Sequence, residues 1–162
     1  KRNSKHVTIS WNRFENAQTG VLFGLEPNLS VDSAQTTTFH HNYFANMSSA
    51  GVLARFGSAH IYNNFFMDVD YAGIECTDSA RCYIERNIFN IETPVVIYRL
   101  FDETGVPFDS TIGFTKMQHN WYSVGGEDLK GDAQGYKPNY KYTIDDADAD
   151  LAWRIKEGSG PR

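Results

Sequence analysis

His40, His41 and Arg55 are the residues with the most obvious chemistry in the stretch TTFHHNYFANMSSAGVLARFG, residues 37–57. An arginine set in a run of apolar and small residues offers a rigid fork of donors that can grip a carboxylate with two parallel hydrogen bonds. The imidazoles are harder to use. A general-base or metal-binding role needs both to converge with carboxylates on one reactant. In an extended strand neighbouring side chains point to opposite faces, so the pair is expected to divide, one inward and one outward, and to act as scaffold. Cys76 and Cys82, spaced C-x5-C, either close a small disulfide loop or remain as two buried thiols. No second pair stands ready to complete a four-ligand zinc site. Sequons at Asn28 and Asn46 permit glycosylation in a secreted eukaryotic chain.

The elements that must position these residues show as a repeat. HVTISWNRFENA (6–17), TTTFHHNYFANM (36–47), SAHIYNNFFMDV (58–69), ARCYIERNIFNI (80–91) and FTKMQHNWYSVG (114–125) share alternating residues, then Asn-x-aromatic. The asparagines are Asn12, Asn42, Asn64, Asn87 and Asn120, separated by 30, 22, 23 and 33 positions. The aromatics two places on are Phe14, Phe44, Phe66, Phe89 and Tyr122. A period near 22 built on strands of five or six residues predicts a parallel β-helix, with insertions lengthening one loop in the longer turns. Each turn adds one strand to each of several sheets, about 4.8 Å above the last. The asparagines then meet at one bend and can form a ladder, while the aromatics stack inside the cylinder. An antiparallel sandwich predicts turns every 8–12 residues without this register. The fold class is thus all-β, with coils over 1–125 and a C-terminal loop and flank over 126–162. A short helix is expected within 145–158, where acids precede Leu151 and Ile155 and Gly158 follows; 125–140 reads as loop.

The bulk numbers fit one such domain. The chain has 162 residues, 41% hydrophobic, enough for a core. Its net charge of −5 and its lack of a basic block disfavour nucleic acid as a partner. No apolar run approaches the ~20 residues of a membrane-spanning helix. The chain opens at Lys1, almost directly on a strand, which suggests a processed or truncated protein.

With these residues in place, the sequence resembles the pectate lyase family of polysaccharide lyases. The matching stretches, in order, are VTISWNRF, TTFHHNYF, RFGSAHIYNNFF and IERNIFN, covering roughly residues 1–100; the tail YKYTIDDADADL is also similar to the family's C-terminal part. The resemblance implies a right-handed parallel β-helix, secretion, and Ca²⁺-assisted β-elimination on polygalacturonate. It implies an arginine base and, five residues on, a second arginine that holds a substrate carboxylate, in the pattern R-x-P-x-x-R-F-G. Here that window is AGVLARFG, residues 50–57. Arg55 matches the substrate-holding arginine, Ala50 stands at the position of the base, and Val52 replaces the proline. The family's lysine, three residues before L-x-G, corresponds to Thr19. The calcium-binding acids of the family precede the VTISW strand and so would lie upstream of Lys1. The expected partners are an acidic polysaccharide and the N-terminal coils of the β-helix, from the same or another chain. Three functions remain open on the residues: a lyase impaired at Ala50, a non-catalytic uronate-binding module, and a structural surface β-helix.

Overall fold

The computed structural model describes residues 4–24, 30–108, 111–134 and 136–161. The sequon at Asn28 lies outside the described residues.

Three parallel sheets wind round one core. The first stacks β1 (Val7–Ser10), β4 (Thr36–His40), β7 (Ser58–Tyr62), β10 (Arg81–Glu85) and β13 (Phe114–Gln118). The second stacks β2 (Arg13–Ala17), β5 (Tyr43–Met47), β8 (Phe65–Val69), β11 (Ile88–Asn90) and β14 (Trp121–Tyr122). The third stacks β3 (Val21–Phe23), β6 (Ala50–Arg55), β9 (Ala72–Thr77) and β12 (Val96–Ile97). This is the parallel β-helix expected from the repeat, right-handed as the resemblance implies.

The repeated Asn-x-aromatic motif supplies the register. Between the first and second sheets, each ladder asparagine accepts from the backbone N–H of the asparagine one coil earlier: Asn12 to Asn42, Asn42 to Asn64 and Asn64 to Asn87 at 3.0 Å, Asn87 to Asn120 at 2.9 Å. The side-chain amides also donate along the stack, at 3.0–3.2 Å. Asp128 ends the ladder by accepting from the Asn120 amide at 2.7 Å. Just before each asparagine the chain turns through the left-handed region: Trp11, His41, Asn63, Arg86 and His119 have φ between 49° and 57°. Such backbone is costly for residues other than glycine, and the ladder beside it holds the bend. Two residues after each asparagine the rings stack inside the cylinder. Phe14, Phe44, Phe66, Phe89 and Tyr122 follow one another with centroids 4.9, 4.9, 5.0 and 5.6 Å apart, close to the strand spacing. Val52, Ile61, Ile74 and Ile84 are among the side chains that pack round this stack in the buried core.

Cys76 and Cys82 form a disulfide across the turn from the third sheet to the first, with Cα atoms 6.5 Å apart. Both sulfurs lie in the core, so the pair is a staple. After β14 the chain runs through 125–140 with no helix or strand among the described residues, then crosses the outer face of the first sheet. It ends in α1 (Ala149–Gly158), within the 145–158 expected. Asp148 caps the helix by accepting from the Leu151 N–H at 2.8 Å, while Asp145 is drawn away to the β-helix. Leu151 and Ile155 are fully buried against Tyr43, Ala45, Phe65 and Ile88, covering the outer face of the second sheet.

Candidate functional site

The third sheet carries Ala50 and Arg55 on one strand, β6. Ala50, at the head of the strand, has no exposed surface. Its carbonyl accepts the Gly20 N–H at 3.1 Å, which places Thr19, in the turn before β3, in the adjoining coil beside it. The sequence-derived positions of base and lysine are therefore neighbours at one end of the sheet. Neither side chain carries an ionisable group. Arg55 lies at the other end of β6, five residues on, roughly 16 Å along an extended strand.

Arg55 faces outward beside two acids of the next coil. β6 and β9 pair so that Leu53 lies opposite Glu75 and Arg55 opposite Thr77. The Arg55 Nε lies 3.4 Å from Asp78 Oδ2. It is buried yet makes no hydrogen bond. The Thr77 hydroxyl bridges the acids, 3.3 Å from Glu75 Oε1 and 3.2 Å from Asp78 Oδ2. A hydroxyl has one proton to give, so it satisfies one carboxylate as donor and the other only if that group is protonated. Burial pushes the Glu75 carboxyl up from its ordinary value, against the pull of Arg55 and the Thr77 hydrogen bond, with Asp78 raising it further. Thr77 thus links the two acids beside the Arg55 guanidinium. Gly24 permits this close packing: a Cβ there would lie 2.2 Å from the Arg55 carbonyl oxygen. The ion pair with Asp78 occupies the Nε side of the guanidinium, and Glu75 also attracts it electrostatically. The remaining donors form a partly exposed fork suited to a carboxylate.

The histidines correct the sequence reading. His40 and His41 do not divide between two faces: their Nδ1 atoms are 2.9 Å apart, in hydrogen-bonding contact. The alternation rule fails because His41 is the left-handed residue of its bend, with φ 55°, which swings its ring back toward His40. His41 Nε2 also meets Asp145 Oδ2 at 3.0 Å, and its ring stacks on Trp11. Burial, then the neighbouring His41 and His60, hold His40 down at about 4, so it is neutral near pH 7. A further group, absent from the sequence reading, joins these. His60 is fully buried. Its Nδ1 meets the Tyr140 hydroxyl at 2.6 Å and its Nε2 meets Glu85 Oε1 at 2.9 Å. Tyr142 and Gln118 donate to the same carboxylate. Burial alone would raise Glu85, but the hydrogen bonds from His60, Tyr142 and Gln118 bring it below its ordinary range. These groups are turned on one another and covered by the C-terminal strap. They fasten the strap and present no open face to a reactant. The sequence held one signal for them: His60, Tyr62, Tyr83 and Glu85 recur at outward positions of the repeat, polar where an uncovered barrel face would be expected to vary.

Pectate lyases are generally calcium-dependent. Among the described residues no three of His, Cys, Asp or Glu converge to hold a metal ion.

Comparison with known proteins gives the same reading of the scaffold. The family model described as pectate lyase matches residues 1–109. The chain is 31% identical to the pectate trisaccharide-lyase of Bacillus licheniformis over 162 residues, covering 99% of this chain and 44% of that protein. It is 28% identical to a probable pectate lyase A of Aspergillus niger, covering 82% of this chain and 44% of the relative. Among solved structures, a pectate lyase from a Bacillus species in complex with trigalacturonate superposes with a TM-score of 0.78 at 26% identity, over 98% of this chain and 50% of that one. The chain spans about half the length of the relatives it matches. With its family model covering four strands of each sheet, this chain belongs to the pectate lyase family.

Proposed function

We propose that this protein acts on polygalacturonate in pectin as a pectate lyase-like protein, with Arg55 holding a uronate carboxylate and β-elimination impaired at Ala50. The single observation that carries the reading is the pair of positions on β6: a partly exposed, fork-bearing Arg55 and an Ala50 without an ionisable group. In the elimination a base takes the C5 proton, which is acidified by the adjacent carboxylate. The C5–H electron pair becomes the C4–C5 double bond, and the C4–O bond breaks, its oxygen leaving with a proton. Arg55 contributes to this by binding the carboxylate on which negative charge grows, through two charge-assisted hydrogen bonds. The methyl group of Ala50 cannot take a proton, so that step lacks its group. Calcium ligands would come from acids ahead of Lys1, where the resemblance puts them, and secretion accords with a polymer substrate outside the cell. No helix among the described residues is long and apolar enough to cross a membrane.

A second reading, a uronate-binding module without turnover, is favoured by the same Ala50 together with Thr19. One experiment separates the two. The protein is mixed with polygalacturonate and Ca²⁺ and ultraviolet absorbance of the unsaturated product is followed, with binding measured in parallel. Slow product growth that a chelator abolishes supports an impaired lyase. Binding without product, lost in Arg55→Ala, supports the module. Absence of both product and binding refutes the two readings together.

A further inference from the structure

Away from the third sheet, the C-terminal strap and the outer face of the first sheet enclose a cleft of about 420 Å³, within the range of small-molecule sites. Its floor is the row of threonines on β1 and β4. Thr38 Oγ1 is 2.7 Å from the Tyr140 hydroxyl, which is itself anchored to His60, so this wall is fixed before any ligand arrives. Tyr136 forms the other wall and is half-buried. Burial, then Tyr140, push its hydroxyl up to about 12, so it stays a donor throughout the physiological range. Among the described residues the basic side chains at the rim are His6 and Lys137, and no carboxylate lines the cleft. That is unusual in a chain with a net charge of −5. Among the described residues the side chains of Thr8, Lys137 and Asn139 have no polar partner, although all three border this space.

Tyrosine rings, converging hydroxyls, a side-chain amide and an unpaired cation are the groups that recognise a sugar acid: ring faces against the pyranose, polar groups against its hydroxyls, the ammonium against its carboxylate. We propose that this cleft binds a uronate unit of an acidic polysaccharide, as a second carbohydrate site on a different face of the β-helix from Arg55. The choice of galacturonate as the uronate rests on the function proposed above. Two sites on two faces would let one molecule hold the polymer at one point while the third sheet engages it at another.

The test is a titration of the full chain with trigalacturonate, followed by backbone amide shifts. Shifts at Thr8, Thr36 and Asn139 that saturate are expected, and Lys137→Glu should weaken them at least tenfold while leaving the fold intact, since Lys137 is exposed and unpaired. Arg55→Ala should leave the cleft shifts unchanged. Shifts around Arg55 and Thr77 with none at the cleft overturn this inference and leave the proposed function standing. Shifts at the cleft with none around Arg55 overturn the proposed role of Arg55 and leave the inference standing. No shifts at either place overturn both. A neutral galactose trisaccharide that moves the cleft amides as strongly overturns the selectivity for an acid.

Discussion

At the scale of the residue, the proposed site is defined as much by what Ala50 and Thr19 lack as by what Arg55 has. If the missing cations alone limit turnover, Ala50→Arg with Thr19→Lys should raise product formation from polygalacturonate and Ca²⁺ at least tenfold, with the melting temperature recorded to show that buried Ala50 accepts the larger side chain. Unchanged turnover in a folded double variant sinks that explanation. His40 makes a second prediction. Its proton affinity is lowered by folding, from 6.5 to about 4. The unfolded chain therefore takes up this proton first as pH falls, and stability present above about 6.5 is lost progressively down to about 4. Asp145 and Glu85 are held below their ordinary ranges. Asp145 owes this first to its hydrogen bond with His41, and both contribute stability that disappears at still lower pH. His40→Gln should flatten the dependence of melting temperature on pH between 6.5 and 4, leaving the steeper acid fall below 4. An unaltered slope in that window would show that His40 is not the group responsible. Arg55 and Ala50 could be found in the sequence because a motif fixes their spacing. The pairing of Arg55 with Asp78 could not, because those residues are brought together by a one-coil offset and a left-handed bend at Asp78.

At the scale of the element, the asparagine ladder is the feature that sequence shows best, since its period is written directly in the chain. Its energetic weight is uneven along the stack. Asn64 is fully buried, accepts from Asn42, and donates to the Phe39 and Tyr62 carbonyls and to Asn87. Replacing it with Ala strands several buried donors and acceptors at once and should cost about 3 kcal/mol or more. Asn12, at the exposed end, donates only to Ser10 and Asn42 through its side chain, and Asn12→Ala should cost less than about 1 kcal/mol. Urea unfolding of the two variants checks the ratio; equal losses would mean that the ladder stabilises each bend independently of burial. The strap is the contrasting case. Tyr140, Tyr142 and Asp145 reach His60, Glu85 and His41 across sequence separations of 80, 57 and 104. No periodic pattern marks 125–146, so its partners were unreadable from the sequence even though the loop itself was expected. The histidine contact was lost for a related reason: strand alternation was applied across a bend where it does not hold.

At the scale of the whole molecule, a solenoid is held mainly by contacts between successive coils, which tends to let it unfold piecemeal. This chain adds a connection across coils. Leu151 and Ile155 pack on Tyr43, Phe65 and Ile88, which belong to three successive coils, and the Arg13 guanidinium of a fourth donates to the Lys156 and Ser159 carbonyls. Arg86 pairs with Asp146 in the strap, Asn63 with the Asp145 backbone, and the Gly160 N–H with the Trp11 carbonyl. A clip of this kind makes the loss of one coil cost contacts to all the others, so the clipped chain should unfold in a single cooperative transition. Leu151→Ala and Ile155→Ala each remove a fully buried side chain and should each cost about 2–5 kcal/mol. Combined, they should do more than lower the midpoint. Hydrogen exchange should show protection falling first in the edge strands β1 and β2, while β7 and β8 in the interior of the stack keep theirs, and the denaturant transition should broaden to a lower m-value. If the double variant instead loses protection evenly and keeps a sharp transition, cooperativity resides in the ladder and the ring stack, and the helix is only a cover over the second sheet.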